Sequence, residues 1–164
     1  MIQNERQYKV TQTKLRALGI DLTQLDVPDP SLHPRQVLGR RNSLSLLISE
    51  LRQEVSEYEQ LKSGRVTEFR FNSIQDLPVM MIKARIAGGL TQKQLAEKIG
   101  VQEQQIQRYE ANNYRAVGFD RLLAIALALN IEITQAVMEI QVNHRMDNAH
   151  STNPNGANIY STEH

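Results

Sequence analysis

Cysteine is absent from the 164 residues, which excludes a disulfide framework, a thiol nucleophile, an iron–sulfur cluster and a cysteine-based zinc finger. Tryptophan is absent as well, and aromatics are only 5% of the chain, so a core has to be built mainly from aliphatic side chains. The longest apolar runs, Pro78 to Ile82 and Leu123 to Leu129, fall far short of the ~20 residues a membrane span needs. The start, MIQNERQYKV, holds no hydrophobic signal stretch, so the expectation is a soluble cytoplasmic protein with no membrane partner. Catalytic signatures are missing too. There is no His-Glu-x-x-His, no glycine-rich phosphate loop and no Gly-x-Ser-x-Gly. The histidines, His33, His144, His150 and His164, are scattered, so no metal site, cofactor or enzymatic activity is expected. A net charge of +1 argues neither for nor against a polyanionic partner; only local charge can.

What is present is enough apolar material, 40% of residues, for one ordinary domain or two small ones. Composition divides the chain into 1–72, 73–143 and 144–164. The first segment reads as two helices. Asn4 to Leu18 carries Tyr8, Val10, Leu15 and Leu18 at helical spacing, with Gly19 as a stop. Pro28, Pro30 and Pro34 then break the helix. A long helix from Arg35 to about Lys62 follows, with Leu44, Ile48, Leu51, Val55 and Tyr58 in alternating steps of four and three. That is a seam two heptads long. It suits either packing within the chain or a dimer or partner contact. Residues 66–71 alternate weakly and read as a short strand or an extended linker. Ser73 and Asp76 resemble a capping box announcing a helix in which Pro78 fits only the first turn. The stretch after Leu129, NIEITQAVMEIQV, reads as helix or strand, and residues 144–164, rich in Asn, Ser and Thr, as a disordered tail. The fold class is therefore mainly all-α.

The informative stretch is Leu77 to Glu132. A helix ends at Gly88-Gly89, Thr91 can cap a second, Gly100 ends that one, and a third follows after Val101 and Gln102. A fourth runs from about Phe119 to Leu129. Two short helices joined by so tight a turn must cross steeply and closely. The crossing needs a small side chain, Ala96, and the bend needs a residue at positive φ, Gly100. The inward positions must be apolar, and Leu95, Ile99, Val101, Ile106 and Tyr109 are. Together these seven residues specify a helix-turn-helix.

Leu95-Ala96, Ile99-Gly100-Val101, Ile106 and Glu110, with Arg85 to Gln92 before them and Leu122 to Leu129 after, resemble the Cro/C1-type, phage-repressor-like helix-turn-helix family. The resemblance implies a lambda-repressor-like domain of four to five helices that binds double-stranded DNA through the major groove as a transcriptional regulator. It also implies a structural pair between Arg85 and Glu110. Over its whole length the chain is similar to the longer antitoxin-type regulators of that family, through Glu50 to Gly64 and Ser73 to Gln92. This implies an antitoxin and autorepressor acting with a cognate toxin. The alternative is a module whose N-terminal helices neutralise a toxin with little DNA binding of its own.

On a helical wheel, Ile106 and Tyr109 define the buried side of the third helix. The opposite face and its N-terminal lip carry Gln102, Glu103, Gln104, Gln107 and Arg108, the expected base readers. Glutamine can grip adenine and arginine can fork onto guanine. Glu103 suits cytosine, or a bond to Gln107 or Arg108. Thr91, Gln92 and Lys93 at the start of the second helix, and Arg115 with Asn113 and Tyr114 past the third, are expected at phosphates. Segment 73–144 balances 7 cations against 7 anions, so counterion release from one copy is modest. A single helix reads few base pairs, so a homodimer on half-sites about 34 Å apart is expected. The dimer contact would come from the seam or from the region after Leu129.

Overall fold

The computed structural model describes residues 1–27, 31–71, 73–115 and 117–134. Among these are six α-helices: α1 (Glu5–Gln24), α2 (Pro34–Lys62), α3 (Leu77–Ala87), α4 (Gln92–Ile99), α5 (Glu103–Ala111) and α6 (Phe119–Ala128). No helix among the described residues is long and apolar enough to cross a membrane.

Asn4 opens α1, its side chain accepting from the Gln7 amide at 2.9 Å. The helix does not stop at Gly19. A glycine inside a helix costs only about 1 kcal/mol, and Leu22, half-buried like Leu15 and Leu18, continues the packed stripe beyond it. His33 caps α2: its Nδ1 accepts from the Arg35 amide, the Gln36 side chain reaches back, and Pro34 occupies the first turn. The two helices pair antiparallel, held by the ion pairs Glu5–Lys62 and Asp26–Arg41 and by stacked rings of Tyr8 and Tyr58, 5.1 Å apart. The heptad stripe is spent inside the chain. Ile48 and Tyr58 are buried, and Leu44, Leu51 and Val55 are half-buried. Tyr58 and Val55 pack with the same core as α3 to α6.

Residues 65–71 contain no strand. No second extended segment pairs with them among the described residues, so no ladder can form. They are the linker, anchored by Val66 and Phe69 against the core. Ser73 does cap, but through the Gln75 amide, opening a 3-10 turn at Ile74–Asp76; Asp76 makes no side-chain cap. α3 starts after that turn with Pro78 in its first turn. Past α6, residues 131–134 have no regular structure, and the rest of the stretch read as helix or strand lies outside the described residues, as does 144–164.

The core is continuous. Met81, Ile82, Ile86, Leu95, Ala96, Ile106, Tyr114 and Ile125 are joined by Tyr58 and Leu61 from α2 and by Ile2. Met1–Glu132 is accordingly one compact unit, and packing carries on across the compositional boundary at 72/73.

Candidate nucleic-acid interface

The α4–α5 corner is built by its local chemistry. Thr91 and Gln94 form a reciprocal capping box, with bonds of 3.1 and 2.9 Å, that fixes the start of α4. Gly100 ends α4 at φ 70°, a left-handed conformation that L side chains rarely adopt. Leu95, Ala96 and Ile106 are buried at the contact, with Ile99, Val101 and Tyr109 packed against them. The outward face of α5 is thereby held at a set angle.

Behind it lies a buried polar network. Arg85 is 2% exposed and Glu110 is 0% exposed. The guanidinium forks onto the carboxylate, Nε to Oε1 at 2.5 Å and Nη2 to Oε2 at 2.7 Å. Nη1 donates to the Leu90 carbonyl at 2.7 Å, and Nη2 also to that of Gln3 at 2.7 Å. The Gln92 amide donates to Glu110 Oε2 at 2.8 Å. The Tyr114 hydroxyl donates to Glu110 Oε1 at 3.5 Å; burial, and then the carboxylate beside it, push this phenol well above its ordinary range. A buried charge pair left half-satisfied is costly. Here every buried side-chain polar atom among the described residues has a partner.

Arg85 and Glu110 are therefore brought together, and the other named residues divide by location. Gln104, Gln107 and Arg108 are exposed on α5, and Gln102 is exposed at the position just before it. Glu103 is half-buried and accepts from the Gln107 amide at 3.1 Å, the bond within the helix that was one of its two readings. Thr91 and Lys93 are exposed at the start of α4, with Lys93 4.0 Å from Glu97. Asn113 and Arg115 are exposed beyond α5. Gln92 departs from expectation: it is 5% exposed, and its amide lies between Glu110 and Asn4 rather than facing outward. Gln92 sits on one stripe with Leu95, Ala96 and Ile99, and that spacing turns it inward.

Two further residues belong to the network without a signal in the sequence. Gln3 Nε2 donates to the Glu110 carbonyl at 3.1 Å, and Asn4 Nδ2 donates to Gln92 Oε1 at 3.2 Å. The segment before α1 thus completes the network behind α5. Nothing local in Gln3 signals this. Tyr114 departs from its expected place beside Arg115 at a phosphate: it is buried against the network, at φ 55° directly after Asn113 at φ 47°. Two successive left-handed residues turn the chain sharply after α5, at a backbone cost of roughly 1–2 kcal/mol each. Burial of the tyrosine ring offsets it. Among the described residues no group of acidic or histidine side chains could hold a metal ion.

No curated protein and no solved structure matches the chain. The family model described as Helix-turn-helix matches residues 81–135, so this third of the chain is similar to that family, and the α4–α5 corner described above lies within the match.

Proposed function

We propose that the protein is a sequence-specific repressor that reads double-stranded DNA with α5 in the major groove. The observation that carries this is the outward row of Gln102, Gln104, Gln107 and Arg108, backed by the buried Arg85–Glu110–Gln92 network. Amide and guanidinium forks match adenine and guanine edges, and each good pair is worth roughly 1–3 kcal/mol of discrimination. A surface that does not sway keeps that discrimination, because little ordering remains to be done on binding. Thr91, Lys93, Asn113 and Arg115 flank the row where phosphates run, and the first backbone amides of α4 serve there in place of the Gln92 side chain. Two copies on half-sites about 34 Å apart would give the recognition length a promoter needs.

The test is a footprint on DNA upstream of the protein's own gene. Gln104→Ala is expected to relax preference at one base-pair position and leave nonspecific binding unchanged. Arg115→Ala is expected to weaken all sequences equally. Unchanged base preference in Gln104→Ala would remove α5's outward row from the reading role.

A second reading, the antitoxin one, has its own support. Val10, Ile20, Leu38 and Leu46 are large apolar side chains standing exposed on the α1–α2 pair, a surface suited to a protein partner. In that reading the partner is a toxin encoded beside the gene, and the regulator represses its own promoter. Co-purification of the adjacent gene's product with the full chain, abolished by Leu46→Glu together with Ile20→Glu, is the expected result.

A further inference from the structure

α1 stands beside the outward face of α5. An open cleft of about 970 Å³ lies between them, with Arg6, Gln7 and Val10 on one wall and Glu103, Gln107 and Ala111 on the other. The bonds of Gln3 and Asn4 to Glu110 and Gln92 tie the start of α1 to the helix-turn-helix itself. The wall is thus fixed, and a duplex that reaches Gln107 must lie alongside α1.

The charges on this wall are unequal in their commitments. Of the acids on the cleft, Glu5 is held by Lys62 and Glu103 by Gln107. Arg6 is exposed, and its side chain makes no hydrogen bond or ion pair among the described residues. The same is true of Lys14, which follows Gln7 by seven residues and Val10 by four, on the same face of α1. The two cations are eight residues apart, about 12 Å along the helix, far enough to meet different phosphates.

We propose that α1 is a second DNA-contacting wall: Arg6 and Lys14 hold phosphates of the strand that lies between α1 and α5, on the flank of the groove that α5 reads. This rests on the reading of α5 as a major-groove helix. It adds contacts that carry affinity and salt dependence but no sequence preference.

The experiment uses the full chain, the duplex protected in the footprint and a mixed-sequence duplex of the same length, titrated over a range of salt concentrations. Arg6→Ala with Lys14→Ala is expected to weaken both duplexes equally, about 10- to 30-fold near physiological salt. It should also flatten the slope of log affinity against log salt by about 1.8. Helix content and melting temperature stay as in the wild type. Should the double variant lose helix content, Arg6→Gln and Lys14→Gln taken singly each flatten the slope by about 0.9. A wild-type slope and affinity in the variants would overturn the inference while leaving α5's role intact. Tighter binding by the variants would overturn it too, making α1 an obstruction. A wild-type chain that binds neither duplex would overturn both this inference and the reading it rests on.

Discussion

The α1–α2 pair and the helix-turn-helix are held by different means. α1 and α2 are 20 and 29 residues long, and they meet through one apolar stripe with ion pairs at the surface. The helices of the module have 11, 8, 9 and 10 residues. Helices that short are marginal alone. They are fixed by a capping box, by left-handed residues at the bends, and by a buried ion pair with its own ring of partners. Long helices tolerate a diffuse contact. Short ones need a few directional bonds, and sensitivity to substitution concentrates in those bonds.

The largest expected effect tests that contrast directly. Arg85→Ala leaves the Glu110 carboxylate buried without its cation, and a loss of about 3–5 kcal/mol is expected by denaturant unfolding. Leu46→Ser, at an exposed position of α2, is expected to stay within about 0.5 kcal/mol of wild type. Similar values for the two would erase the distinction.

Glycines sharpen it with opposite signs. Gly100 has φ 70°, with nothing within 4 Å of an added Cβ. Gly100→Ala therefore meets no clash and should cost only backbone strain, roughly 1–2 kcal/mol. Gly19 lies within α1 with equally open space around it. Gly19→Ala should stabilise by about 0.4–1 kcal/mol. Thermal melts of the two variants should move in opposite directions.

The smallest effect is on the α1–α2 side. Hydrogen bonding to Lys62 holds the Glu5 carboxyl below its ordinary value of 4.5, and the same contact raises Lys62 above 10.5. A depressed carboxyl contributes stability above its unfolded value that is lost as pH falls through the folded one. A raised amine contributes below its unfolded value and loses the contribution as pH rises. The pair's contribution is therefore full between about pH 4.5 and 10.5 and fades outside that window. Both groups are exposed, so Lys62→Ala should cost less than about 1 kcal/mol at neutral pH. A loss that does not shrink on acidification below pH 4 would detach it from Glu5.

Legibility in the sequence follows the same division. Thr91, Ala96, Gly100 and Ile106 could be read because their roles are set by neighbours within a few positions. Arg85 and Glu110 came from the family resemblance. Gln92 is harder, because an amide next to a cap looks solvent-facing until its spacing from Leu95 and Ala96 is weighed. Gly19 has the look of a stop because the residues that outweigh it lie on another helix. Residues 66–71 had strand propensity, but a strand also needs a partner that propensity cannot supply. Gln3 and Asn4 were unreadable for the strongest reason: their partners lie 107 and 88 positions away.

That distance sets an order of events during synthesis. At about 5–20 residues per second, roughly 5–20 s pass between the making of Gln3 and of Glu110. In the interval α1 and α2 can already zip together, while Ile2, Gln3 and Asn4 have no seat and Arg85 has no counterion. A nascent chain acquires its long hairpin first and its reading surface late, so a product released before Glu110 would be a helix pair with nothing to tell one base sequence from another.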